Sequence, residues 1–173
     1  MMNHFILLLI AALLLLSSCL GAVSTVKSVD LQKYLGRWYQ FAYFPNSFQP
    51  KDCALTTADY SLDTKGKIIV LNTCYSDKAG KKIKKQATGK AYPIDKTNSK
   101  LKVSFFWPFK GDYWIVKLDP QYRYSVVSDP KQKYLWILTR TPDLDNASWQ
   151  EINSFLVKGG WDISKLSFSG SVK

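Results

Sequence analysis

Between residues 38 and 139 the chain falls into short β-rich runs, each too brief for a helix and each bounded by turn residues. The runs predict strands at Trp38–Tyr43, Ala54–Leu62, Lys67–Tyr75, Lys84–Pro93, Lys100–Phe106, Gly111–Asp119, Tyr124–Ser128 and Tyr134–Thr139. Asp63 and Gly66, Asp77 and Gly80, Asn98, Pro108 and Gly111, Pro120 and Pro130 supply the turns. Eight strands on short connections predict an all-β, antiparallel up-and-down barrel, because closure removes both exposed sheet edges. Two segments depart from this rhythm. Leu31–Leu35 predicts a turn of helix ahead of Gly36. Trp149, Ile152, Phe155 and Leu156 form an apolar face at helical spacing, with Asp145 or Asn146 as cap and Gly159-Gly160 as stop. A single amphipathic helix following the strands is expected to pack outside the barrel, and Trp161–Phe168 reads as a short last strand or an extended tail.

The N-terminus has a different pattern. Residues 1–18 carry no Lys, Arg, Asp or Glu, and Phe5–Leu16 is unbroken apolar sequence. Twelve helical residues reach roughly 18 Å, short of a bilayer core of about 30 Å. With small residues following at once, residues 1–18 read as an export leader and not as a membrane span. Leu16-Ser17-Ser18-Cys19 resembles the lipobox of bacterial lipoproteins, in which the cysteine is acylated and becomes the first residue. The other reading of the same stretch is ordinary cleavage near Ala22, which would discard Cys19. The lipobox reading divides the chain into a leader (1–18), a lipidated cysteine with a linker (19–30) and one domain (31–173). Leu20 in place of Asp after the cysteine points to the outer membrane, on its periplasmic face.

Charge then narrows the partners. The 24 basic residues outnumber the 13 acids, for a net charge of +11. Only Arg37, Arg123 and Arg140 are arginines, a poor set for reading bases, so nucleic acid is not an expected partner. An anionic membrane surface accounts for the charge more simply. Lys78, Lys81, Lys82, Lys84, Lys85 and Lys90 crowd one connection, which is either a solvated hairpin or a headgroup contact.

Catalytic chemistry finds little to work with. His4 is the only histidine and lies in the predicted leader, which excludes a Ser-His-Asp triad, a Cys-His pair or an imidazole metal site in the mature chain. Glu151 is the sole glutamate, and no glycine-rich phosphate loop or Cys-x-x-Cys is present. No catalytic residue, metal site or cofactor is predicted. With Cys19 acylated, Cys53 and Cys74 remain as an even pair in an oxidising compartment. A hairpin centred on Asp63–Gly66 sets Leu62 opposite Lys67 and Cys53 near residue 76, so a small bulge would let the two cysteines pair across the strands. The alternative is a redox-active pair.

Three blocks in order carry a family resemblance: Gly36-Arg37-Trp38-Tyr39, Tyr113-Trp114-Ile115-Val116-Lys117-Leu118-Asp119, and Leu135-Trp136-Ile137-Leu138-Thr139-Arg140-Thr141-Pro142. Together they resemble the signature blocks of the lipocalin family. Ala58-Asp59-Tyr60-Ser61-Leu62 and Leu101-Lys102-Val103-Ser104-Phe105-Phe106 resemble its bacterial outer-membrane branch. The resemblance implies a barrel floor closed by Gly36, Trp38 and Arg140, with the guanidinium over the indole, as structural residues. Carried along each strand by in–out alternation, it implies a lining of Gln40, Ala42, Phe44, Ala58, Tyr60, Leu62, Ile68, Val70, Asn72, Val103, Phe105, Tyr113, Trp136 and Leu138. Tyr60, Asn72 and Tyr113 are the polar groups that would orient a guest. The implied ligand is a fatty acid such as palmitate, or a lysophospholipid. An eight-stranded barrel can equally fill itself with its own side chains, and a non-binding structural or protein-interaction envelope lipoprotein, or an enzymatic or redox lipocalin, are the competing functions. The oligomeric state stays open, a homodimer among the alternatives.

Overall fold

The computed structural model describes residues 23–173. The predicted leader, His4 and the lipidation site Cys19 lie outside the described residues. Two helices and nine strands follow in chain order: α1 (Leu31–Tyr34), β1 (Gly36–Tyr43), β2 (Leu55–Leu62), β3 (Ile68–Tyr75), β4 (Ile83–Pro93), β5 (Lys100–Phe106), β6 (Phe109–Leu118), β7 (Tyr124–Ser128), β8 (Leu135–Thr139), α2 (Asn146–Lys158) and β9 (Ser167–Phe168). A 3-10 turn at Ile163–Lys165 precedes β9. Strands β2 to β8 pair with their sequence neighbours, and β1 joins β8 to β2, so the eight-stranded antiparallel barrel closes as predicted. The open alternative for residues 161–168 resolves as β9, which lies on the upper half of β1 with Ala42 opposite Phe168.

Antiparallel connectivity sorts the loops. The β1–β2, β3–β4, β5–β6 and β7–β8 connections gather at one end, and β2–β3, β4–β5 and β6–β7 at the other. Asp145 caps α2, its carboxylate accepting from the Ser148 N–H at 2.9 Å. Ile152 and Leu156 of α2 are fully buried against the outer wall with Phe41, Val126, Leu135, Ile137 and Trp161. A second cluster fills the lower barrel: Trp38, Tyr60, Ile68, Val70, Leu101, Ile115, Val127 and Leu138, with Tyr34 and Val29 beneath. The protein therefore has two apolar layers, one inside the barrel and one between barrel and helix.

Three expectations need correction. In β1, Gln40 faces Leu138 but Ala42 faces Ile137, so the strand holds one extra residue at Phe41. That bulge reverses the alternation, and Ala42 and Phe44 join the outer cluster under α2 instead of the lining. In the first hairpin Leu62 pairs with Ile68, one residue beyond the expected Lys67. The turn residue Asp63 holds this register, its backbone N–H donating to Lys67 O and its carboxylate accepting from the Lys65 and Lys67 N–H groups. Leu62 shares the inner face of β2, but it ends the strand at the barrel's edge and is exposed.

Candidate functional site

The floor is built first. Gly36 turns the chain from α1 into β1 at φ +88°, a conformation in which a Cβ is strained. Trp38 then enters the barrel, fully buried, and its indole N–H donates to Tyr34 O at 2.8 Å. The Arg140 guanidinium lies 3.7 Å from the centre of the Trp38 ring. Its N–H groups donate to Tyr122 O (3.3 Å), Arg37 O (2.8 Å) and Lys33 O (2.6 Å). Partial burial lowers the Arg140 pKa, yet a guanidinium stays protonated at any pH a folded protein survives. The β6–β7 turn, β1 and α1 are thus tied together beneath one indole.

Above this plug runs a chain of hydroxyls. Tyr60 donates to Tyr113 Oη at 2.8 Å, Tyr113 and Tyr34 share a hydrogen bond of 2.9 Å, and Tyr34 reaches Ser125 Oγ at 3.0 Å. Burial pushes the Tyr34 phenol up to about 12 and also raises Tyr60 and Tyr113. All three are neutral at physiological pH. Two of the residues expected to orient a guest, Tyr60 and Tyr113, are therefore engaged with each other, and the inner floor presents no charge.

The middle and upper barrel are different. Strand register puts Gln40, Ala58, Tyr60, Val70, Asn72, Val103, Tyr113, Trp136 and Leu138 on the inner face, as alternation predicts. Phe105 lies inward too, its ring against Gly89, where a Cβ would come within 2.8 Å of the ring. Inner-face Ala58, Asn72, Val103, Tyr113 and Trp136 are only partly buried, and Ala87, paired with Asn72, is exposed. Tyr113 is likewise partly uncovered although its hydroxyl bonds both Tyr60 and Tyr34. That combination marks a space inside the barrel which its own side chains do not fill.

Over the mouth folds the β1–β2 connection. Gln49 donates to Gln40 Oε1 at 2.6 Å, while its own Oε1 accepts from Trp136 Nε1 (3.0 Å) and Asn46 Nδ2 (2.5 Å). Tyr43, Pro45, Asn46, Gln49, Pro50 and Lys51 line a cavity of about 290 Å³ there. Cys53 and Cys74 form a disulfide, Cα atoms 5.3 Å apart, that pins the end of this loop to β3. The pairing arises although Thr56, not Cys53, lies opposite Cys74, because the loop curls back over the strand. Beside Cys74 in the β3–β4 register stands Lys85, a cation on the inner side of the rim. A larger cleft of about 500 Å³ lies outside the floor, lined by Lys33, Pro120, Gln121, Tyr122, Arg123 and Arg140. Its two guanidiniums are already committed, Arg140 to carbonyls and Arg123 to Asp119 at 2.7 Å.

Sequence reasoning missed Gln49, Tyr34, Ser125 and Ala87. Gln49 sits in an aperiodic loop with no signal at all. Tyr34 did carry one, since its spacing of four from Trp38 matches the indole-to-carbonyl bond. Among the described residues no group of three or more His, Cys, Asp or Glu could hold a metal, and no helix is long and apolar enough to cross a membrane.

A family model described as a lipocalin-like domain matches residues 29–170. The chain is 39% identical over 165 residues to the outer membrane lipoprotein Blc of Vibrio cholerae, covering 92% of this chain and 95% of that protein. It is 40% identical over 145 residues to Blc of Escherichia coli K12 (83% and 80% covered). Temperature-induced lipocalin-1 of Arabidopsis thaliana is 38% identical over 153 residues, with 83% and 80% covered. Among solved structures, insecticyanin from the tobacco hornworm Manduca sexta superposes with a TM-score of 0.68 at 18% identity, covering 88% of this chain and 91% of that one. The cockroach allergen Per a 4 gives 0.63 at 21% identity, covering 88% and 93%. At these identities the two structures speak to the fold alone.

Proposed function

The chain belongs to the lipocalin family, and on that premise we propose that it is a lipid carrier whose barrel holds one fatty acid or lysophospholipid, tail towards the floor and head at the mouth. One observation carries the reading: the inner faces of the middle and upper strands are mostly apolar and incompletely covered, above a floor that is sealed. The uncharged hydroxyl chain at the floor suits a hydrocarbon end better than an ionised head. Lys85 at the rim supplies a cation for a carboxylate or phosphate. Burying a sixteen-carbon chain at about 0.8 kcal/mol per CH₂ gives roughly 12 kcal/mol gross. Association costs of at least about 4 kcal/mol leave micromolar or tighter binding.

The same reading places the protein in a bacterial cell envelope, held to the outer membrane by acylated Cys19 after removal of residues 1–18. Its support is the Leu16-Ser17-Ser18-Cys19 motif and the name outer membrane lipoprotein borne by bacterial relatives. Binding and release, not catalysis, is the activity proposed. Native mass spectrometry of the full chain extracted in mild detergent is the test. A bound lipid displaced by palmitate or lysophosphatidylcholine is expected, together with a change in tryptophan emission from Trp136. A chain that carries no lipid and responds to neither compound overturns the proposal.

A further inference from the structure

We propose that the open rim of the barrel is a docking surface for an anionic lipid bilayer, with the β5–β6 hairpin as the inserted tip. The first ground is the distribution of exposed apolar side chains. Phe106, Trp107 and Phe109 are 76%, 83% and 71% exposed on one tight hairpin, and Phe48 on the β1–β2 connection and Ile83 at the first position of β4 stand exposed at the same end. The three turns at the floor end carry only Ile94, with Leu62 at their margin. Adjacent aromatics this open are unusual on a surface that meets only water.

Charge is the second ground, and it selects the partner. Segments 44–54, 76–85, 106–110 and 129–134, which make up the rim, hold nine lysines against three aspartates. All three aspartates are engaged: Asp52 with Lys84, Asp77 with the Lys81 and Lys82 N–H groups, Asp129 with the Lys131 and Tyr134 N–H groups. The floor turns 63–67, 94–99 and 119–123 are nearly balanced, with three lysines and one arginine against three aspartates. The net charge of the molecule is thus concentrated at the end that bears the aromatics. A convex tip of indole and phenyl rings ringed by ammonium groups matches the headgroup and upper acyl layer of an anionic membrane, where aromatics settle and lysines meet phosphates. A rigid protein partner would need a complementary socket for a protruding hairpin, whereas a bilayer deforms around it.

The third ground is where the chain enters. Traced back from Val29 on the floor, Val26 donates to Ile115 O of β6 and Val23 packs on the outer cluster, so the N-terminal segment lies along the wall of the strand whose other end carries the tip. The surface needs neither a ligand in the barrel nor an anchor to dock, so it stands apart from the carrier reading. It would, however, open the mouth directly onto the lipid.

The test uses the full chain reconstituted on phosphatidylcholine vesicles with and without phosphatidylglycerol, where any N-terminal tether is common to every variant. The emission contributed by Trp107 is obtained as wild type minus Trp107→Phe. A nitroxide just below the headgroup is expected to quench that component at least about twofold more with phosphatidylglycerol than without, the gain falling in high salt. Phe106→Ser/Phe109→Ser, which keeps Trp107, is expected to lose the quenching while still taking up palmitate. Should that variant lose palmitate uptake as well, Lys81→Glu/Lys82→Glu, altering only exposed side chains, repeats the measurement with the same expectation. A Trp107 component that stays open to aqueous iodide on both vesicles overturns the proposal. So does a dimer in sedimentation that Trp107→Ser dissociates, which would make the rim a contact between copies of this chain.

Discussion

Trp38 and Arg140 show how much one residue pair governs, since the guanidinium both covers the indole and satisfies carbonyls of α1, of β1 and of the β6–β7 turn. Arg140→Met keeps much of the apolar stem but leaves those carbonyls and the ring face unpartnered. The expected loss is about 3 kcal/mol in urea unfolding, and Arg140→Lys should recover less than half, because an ammonium cannot stack as a plane or fork to three acceptors. Both residues were legible as a floor from the sequence blocks. The hydroxyl chain above them was not, because alternation says which face a tyrosine takes but not what its oxygen meets. It has a pH signature. The Tyr34 phenol ionises near 10 when unfolded and only at about 12 when folded. The folded state thus favours the protonated form, and that stabilisation is complete below pH ~10 and lost as pH climbs towards ~12. Tyr34→Phe is expected to flatten the alkaline limb of a stability–pH curve. Asp119 runs in the opposite sense. Hydrogen bonds from the Arg123 guanidinium hold its carboxyl below the usual range, so its contribution is present above the ordinary carboxylate pKa and fades as pH falls through the lowered one. Asp119→Asn should show a weaker acid-side loss in the same experiment.

At the scale of the element, β1 decides most. Its bulge at Phe41 lets one strand serve two layers, sending Trp38 and Gln40 into the barrel and Phe41, Ala42 and Phe44 towards α2. Period-two alternation cannot foresee such a reversal, since the extra residue answers to the strands on either side and to the helix that covers it. The β1–β2 loop is the second such element. It is held at one end by the Cys53–Cys74 disulfide and in its middle by Gln49 bridging Gln40, Trp136 and Asn46. Reduction is expected to lower stability by about 3 kcal/mol, read as a shifted urea midpoint that Cys53→Ser/Cys74→Ser no longer shows. Gln49→Ala should leave that midpoint nearly unchanged and speed displacement of a bound fluorescent fatty acid in stopped flow, because it removes a closure and not a piece of the core.

At the scale of the molecule, the two apolar layers divide the labour of fold and site. The layer between the barrel and α2 buries Phe41, Ile152 and Leu156 completely, whereas the barrel interior is buried completely only below, where Trp38, Leu101 and Ile115 meet. Filling the remaining space from small inner-face positions should abolish uptake without unfolding the chain. Ala87→Trp and Ala58→Phe are therefore expected to lose palmitate binding by fluorescence titration while keeping the wild-type far-UV spectrum. The floor pair was legible only through the family's sequence blocks; by itself the sequence determined the strand rhythm, the barrel, the outer helix and the pairing of Cys53 with Cys74. Those follow from local periodicity, turn chemistry and cysteine parity, which act over a few residues or through a single bond. Only the tertiary structure decided which way Ala42 and Phe44 point, that Gln49 folds over the mouth, that three phenols join in one hydrogen-bonded chain and that inner-face residues of the upper barrel stay partly uncovered. Each of these depends on how distant strands close on one another, and a hollow is set by the difference between the space a barrel encloses and the volume its side chains occupy, a quantity no single strand carries.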